Sequence, residues 1–248
     1  MKRHRFIGPF DLTQTSLRLF ETELVRQVSL VLKLKPGEEM VLCDGKGKEA
    51  LVRLTSVEKK EITGEVVERM KNTNEPTRRV TLYCAVLKRE NFELVVQKAT
   101  EVGVAEIVPI ITRRTVKTGL KLERLRQIAK EAAEQSGRGV VPVVHEAMSF
   151  SDAMKDAKRH ESNYFLDVGA PLAGALPRGE GVGATDRVGT RPAPTMKTVG
   201  LFVGPEGGWD PDEVAQAKRA GFTSASLGSL VLRAETAAVV GTYLFSQP

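Results

Sequence analysis

Two short segments near the C-terminus hold residues whose types and spacing could do chemistry. The first is Gly204-Pro205-Glu206-Gly207-Gly208-Trp209. It follows an apolar run, Thr198–Val203, that reads as a buried strand. Glycines let the backbone come close to a bound molecule and leave N–H and C=O groups bare. A glycine-rich turn at the carboxyl end of a parallel strand is also where open α/β sheets bind ligands. A tight strand-to-helix turn alone fits the same pattern. The second segment starts at Gly228-Ser229, passes through Leu230-Val231-Leu232 and reaches Arg233-Ala234-Glu235 at the predicted start of the last helix. Arg233 and Glu235 sit among apolar neighbours, and burying a lone charge is costly, so each needs a partner or a function. A structural Arg–Glu pair and a catalytic role both satisfy that requirement.

Such turns need a sheet to carry them, and the chain from Val80 onward has the pattern of one. Residues 80–86, 104–111, 164–168, 198–203 and 222–227 read as strands. Between them, Phe92, Val95, Val96, Ala99 and Val102 recur at helical spacing, and Gly103 suits the position just past a helix end. Leu122, Leu125, Ile128, Ala129 and Ala132 mark a second helix, and Ser149 with Asp152 opens a third. Asp210, Pro211 and Glu213 open another as a capping box with proline at its first position. Alternation of strand and helix predicts an α/β fold, a parallel sheet covered by helices.

The N-terminal part differs. Leu24, Val25, Val28 and Leu32 predict one short amphipathic helix, ended by Lys35-Pro36-Gly37. Strands at 39–43, 49–54 and 62–67 then predict a small β-barrel. Polar residues around Asn72-Thr73-Asn74-Glu75-Pro76 read as a linker. The expected division is therefore a barrel over 1–71, a linker over 72–79 and a larger domain over 80–248, with a Gly/Pro-rich insertion at 169–197. Glycines in that insertion lack the register of a dinucleotide fingerprint, and residues 44–48 lack that of a phosphate loop.

Composition excludes several classes. Cys43 and Cys84 are far apart and His4, His145 and His160 are scattered, so neither a disulfide framework nor a metal site is expected. The basic start lacks the apolar run of a signal peptide. No stretch approaches the roughly 18 apolar residues that cross a bilayer. A cytoplasmic protein without a membrane partner is the expectation. The net charge of +6 makes a polyanionic partner plausible without naming one.

The paired C-terminal segments, GPEGGW and then LGSLVLRAETA, resemble the cofactor-binding core of the SPOUT methyltransferases. More narrowly, the chain is similar to the RsmE family, which methylates N3 of a uridine in small-subunit (16S) ribosomal RNA. QKATEVG at 97–103 and EAAEQSGR at 131–138 match that family's middle motifs. HRF at 4–6 and LKPG at 34–37 match its PUA-like RNA-binding barrel. The resemblance covers essentially the whole chain and departs from the family at the 169–197 insertion, beside the loop near Leu166-Asp167.

It implies S-adenosyl-L-methionine as cofactor, a SPOUT-type parallel sheet with a C-terminal deep trefoil knot, and a homodimer whose partner subunit completes each site. Ribosomal RNA or the small ribosomal subunit would be the substrate. Cofactor contacts would come from Leu166, Phe202, Val203, Gly204, Glu206, Gly207 and Gly208 on the first turn. Ser226, Leu227, Gly228, Leu230 and Leu232 would supply them on the second. Arg233, Glu235 and Glu206 are the catalytic candidates: a carboxylate to accept the N3 proton, and a guanidinium to stabilise charge on the uracil oxygens. A helix N-terminus favours the charged form of Glu235 and lowers its basicity, so a mechanism without a general base stays open. RNA contacts would come from Arg3 and Arg5 on the barrel, and from Arg113, Arg114, Lys117, Lys121 and Arg138 beyond it. Rival readings are another SPOUT reaction, such as ribose 2′-O-methylation, and a non-catalytic RNA-binding ribosome-assembly factor.

Overall fold

The computed structural model describes residues 4–116, 119–167 and 197–247. Arg3, Lys117 and all but the last residue of the expected insertion lie outside the described residues.

In the N-terminal unit, β-rich runs pair across tight turns. Strands β1 (His4–Ile7), β2 (Ser16–Leu19), β3 (Glu39–Cys43), β4 (Lys48–Val57) and β5 (Ile62–Lys71) form one sheet in the order β1-β3-β4-β5-β2. β1 runs parallel to β3, and the other pairs are antiparallel. At the β3–β4 hairpin, the Asp44 carboxylate accepts the N–H groups of Lys46 and Lys48 at 2.7 and 3.0 Å. That bond pattern is the side-chain mimic of a turn expected of aspartate. Alternate side chains Met40, Leu42, Val52, Leu54 and Ile62 face Leu24 and Val25 of α1 (Thr22–Arg26) and Val28 of the π turn that extends it.

This unit comprises Met1–Glu75 and, from much later in the chain, Lys130–Val141. On the second face of the sheet, Ile7, Val41, Cys43 and Leu51 pack with Ala133 and Val141. The peptide N–H of Ile7 donates to Glu134 at 2.9 Å. Asn72, at the start of the expected linker, is buried, and its amide donates to Glu49 and to the Gly137 carbonyl.

The second unit, Pro76–Ala129 and Pro142–Pro248, holds the strand–helix alternation. Its elements begin with β6 (Arg79–Ala85), α2 (Arg89–Glu101), β7 (Glu106–Ile111) and α3 (Leu122–Ser136), whose last turns belong to the first unit. Next come β8 (Val143–Val144), β9 (Met148–Ser149), α4 (Phe150–Asp156) and β10 (Ser162–Leu166). The chain closes with β11 (Thr198–Val203), α5 (Pro211–Arg219), β12 (Thr223–Ala225) and α6 (Ala234–Ser246). The strands order as β12-β10-β11-β6-β7-β8, with β9 also on β7, and every described pair is parallel.

Strand alternation gives this sheet two apolar faces, as a buried parallel sheet requires. Tyr83, Phe165 and Phe202 join Phe150 and Ala153 of α4 and Ala217 of α5 on one side. On the other side α6 packs with α2, Phe245 lies 4.4 Å from Tyr164 between ring centres, and Gly241 sits against Leu166 and Leu201. Among the described residues, no helix is long and apolar enough to cross a membrane, and no group of His, Cys, Asp and Glu could hold a metal ion.

Candidate active site

The carboxyl ends of β6, β10, β11 and β12 surround a cavity of about 730 Å³. β6 leads to α2 on one face of the sheet, while β11, its neighbour, leads to α5 on the other. Where consecutive connections diverge in this way, a crevice opens beyond the strand ends.

β11 runs straight into the first glycine turn. A Cβ on Gly204 would meet the Trp209 ring at 2.9 Å, so only glycine lets the indole fold back over the strand end. The indole Nε1 donates to the Leu166 carbonyl at 2.8 Å, and the ring stacks on Phe165 at 4.2 Å. Trp209 thus ties the ends of β10 and β11 together. Gly208, at φ +70°, turns the chain towards α5 in the left-handed region that glycine tolerates. The predicted capping box closes there: Asp210 accepts from the N–H of Asp212 at 3.0 Å, and Glu213 accepts from that of Asp210 at 3.1 Å. In the second turn, the Ser226 hydroxyl accepts from the Gly228 N–H at 3.3 Å and donates to its carbonyl at 2.8 Å.

Arg233 and Glu235 both line the cavity, but no ion pair joins them. Arg233 is exposed as the residue before α6, whereas Glu235, in the first helical turn, is 8% exposed. The structural Arg–Glu pair is therefore excluded. Glu206 is exposed at the mouth and accepts the Lys88 N–H at 3.4 Å. Burial, and then the charges of Glu206 and Glu235, push the Cys84 thiol far above its ordinary range. Cys84 therefore stays a neutral, inert thiol.

Most of the cofactor candidates come together. Val203, Gly204, Glu206, Gly207 and Gly208 line one wall, and Leu166, Ser226, Leu227, Leu230 and Leu232 line the rest. Phe202 and Gly228 are not among the lining residues. Phe202 stacks on Tyr83 at 4.4 Å inside the core, because strand alternation sends it to the face opposite Val203. Gly228 is held in the bend by Ser226. Sequence reasoning missed Lys88 and Asn91 at the start of α2, and also Trp209 and Val116. Lys88 and Asn91 become visible only once β6 is known to lie beside β11.

Of the basic residues, Arg114 lines the cavity and donates to the Gly207 carbonyl at 2.7 Å. Lys121 is exposed and lies off the wall. Arg113 pairs with Asp210 at 3.0 Å and with Asp212. Arg5 turns inward to Glu49 and Cys43, within the N-terminal unit. Arg138, in the same unit, is 5% exposed and bonds Glu75 at 2.8 Å. Its guanidinium is a structural group in this fold. Arg138→Ala is expected to lower unfolding free energy by about 3–5 kcal/mol, the usual cost of breaking a buried pair. Urea unfolding measures that cost, and a loss under 1 kcal/mol contradicts it.

The cavity and the small companion sheet together define a class. Residues 73–246 match the RNA methyltransferase domain family, and residues 30–67 match the RNA methyltransferase PUA domain. Within that class, the chain belongs to the ribosomal RNA small subunit methyltransferase E family. The family member from Mesomycoplasma hyopneumoniae is 32% identical over 206 residues, covering 81% of this chain and 82% of its own. The one from Synechocystis is 30% identical, over 94% and 74%. The crystal structure of the Neisseria gonorrhoeae member bound to S-adenosyl methionine superposes with a TM-score of 0.84 at 30% identity, covering 98% of this chain and 96% of that one.

Proposed function

We propose that the cavity binds S-adenosylmethionine and that the protein uses it to methylate N3 of a uridine in small-subunit (16S) ribosomal RNA. The observation that carries this reading is the cavity itself, built from two glycine turns that follow β11 and β12, parallel strands on either side of β10, in a chain of this family. Its volume lies within the range of small-molecule sites. Val203, Leu227, Leu230 and Leu232 suit an adenine ring, and the peptide groups of Gly204, Gly207 and Gly208 suit the polar ribose and amino-acid ends. The carboxylates of Glu206 and Glu235 complement a sulfonium cation. The bound cofactor supplies an electrophilic methyl group.

Everything else falls to the protein. Holding two reactants in line makes the reaction effectively unimolecular. The uracil N3 proton must leave, and Glu235 is the favoured acceptor because its carboxylate is buried in the cavity wall. Glu206 is the second candidate. Arg233 stabilises the charge that develops on the uracil oxygens. Arg114 and Lys121 are the described cations assigned to RNA phosphates. Leu230 and Val231 at the cavity rim are exposed, as are Tyr243 and Leu244 on α6. Apolar exposure of this kind supports a homodimer in which a second copy covers the rim. A ribosomal substrate fits the cytoplasmic location expected from sequence.

Incubating unmodified small ribosomal subunits and free ribosomal RNA with labelled S-adenosylmethionine tests the reading. Nucleoside mass spectrometry should find 3-methyluridine at one site. A ribose-methylated nucleoside would replace the N3 assignment, and failure to bind cofactor would favour an assembly factor.

A further inference from the structure

We infer that the loop over residues 112–116 is a fixed wall of the cofactor cavity, and that the buried carboxylate of Glu213 is the positioning residue that holds it. The inference rests on the reading of the cavity as a cofactor site.

A capping-box glutamate has one task, to accept the N–H at the helix start, and its other oxygen usually faces water. Glu213 is 2% exposed and uses both oxygens on protein. Oε2 accepts the Asp210 N–H at 3.1 Å, and Oε1 accepts the Arg113 N–H at 3.0 Å. One carboxylate therefore joins the exit of the glycine turn to a loop about a hundred residues earlier in the chain. The loop is itself compact. The Thr112 N–H donates to the Thr115 hydroxyl at 2.9 Å, and the Thr115 N–H to the Thr112 carbonyl at 3.2 Å.

Held in that place, the loop reaches across to the glycine turn. Arg114 Nη1 donates to the Gly207 carbonyl at 2.7 Å, and the Gly208 N–H donates to the Pro205 carbonyl at 2.8 Å. Gly207 C=O and Gly208 N–H are two ends of one peptide group. Both ends are committed, so the orientation of that peptide is set before any ligand arrives. Glycine in this turn would otherwise leave it free to rotate. Preorganisation of this kind spares a ligand the cost of ordering its own site.

Arg113 also bonds Asp210 and Asp212, but its guanidinium is largely exposed, and exposed ion pairs contribute little. The buried bonds of Glu213 are therefore the ones to break. Glu213→Gln keeps the shape but presents an amide N–H₂ to one of the two donors. Calorimetry with S-adenosylmethionine should show binding about tenfold weaker, in line with the loss of a charge-assisted hydrogen bond. Turnover at saturating cofactor should stay within about twofold, as expected when uniform binding is removed. A lowered melting temperature with unchanged cofactor affinity would mean a helix cap and nothing more, and would overturn the inference. Hydrogen exchange on the wild-type protein gives an independent reading if the variant does not fold. The Thr112, Arg113 and Thr115 amides should already be protected without cofactor, and fast exchange there also overturns it. Wild-type protein that binds no cofactor would instead remove the cofactor reading beneath it.

Discussion

Trp209→Ala is expected to lower unfolding free energy by about 3–5 kcal/mol, the range for deleting a large buried aromatic side chain. Three losses add. The indole fills the space that Gly204 leaves over the end of β11, so its removal opens a cavity at the sheet's edge. Its stacking on Phe165 at 4.2 Å and its contact with Phe150 at 5.7 Å disappear. The Leu166 carbonyl loses its donor, which costs roughly 1–3 kcal/mol where water cannot replace it. Because Leu166 and Gly204, at the ends of the two strands that Trp209 ties, both line the cofactor cavity, cofactor affinity should fall with stability. Trp209→Phe separates the two terms: it keeps most of the apolar volume and loses only the hydrogen bond. Denaturant unfolding of both variants reads the difference. An alanine variant within 1 kcal/mol of wild type would show that Trp209 is not the tie between β10 and β11.

Much of this arrangement was legible in the sequence where the cause is local. Asp210, Pro211 and Glu213 predict the start of α5, and the structure contains that capping box. The apolar run at Thr198–Val203 is β11 from end to end. Both glycine turns were recognisable as candidate ligand loops. What was not legible depends on distant partners. β1 and β2 have four residues each, too few for period-2 alternation to stand out, and they exist because β3 and β5 pair with them. Phe202 and Val203 are equally apolar, and a strand buried on both faces carries no sign of which side chain meets a ligand. Arg5 and Arg138 looked like cations awaiting phosphate, because charge counting cannot see Glu49 or Glu75 folding onto them. Lys88 and Asn91 reach the cavity through the β6–β11 pairing, a contact between strands more than a hundred residues apart.

Glu235→Gln should reduce the single-turnover rate of methylation by roughly 10²–10³-fold, within the usual contribution of a positioned general base. The prediction depends on the uridine-N3 reading, in which a proton must leave before nitrogen can attack. Glutamine is nearly isosteric and keeps an acceptor oxygen, but it cannot take that proton. The loss should persist at saturating cofactor, which separates it from a weakened attraction for the sulfonium and from damage to the glycine turns. Glu206→Gln should lower the rate only a few-fold, because Glu206 is exposed at the mouth and bonds the Lys88 peptide. If both variants keep wild-type rates, neither carboxylate takes the proton, and Arg233 must stabilise a uracil anion formed without a protein base. Rates proportional to hydroxide concentration, and a collapse in Arg233→Ala, would then be the expected signature.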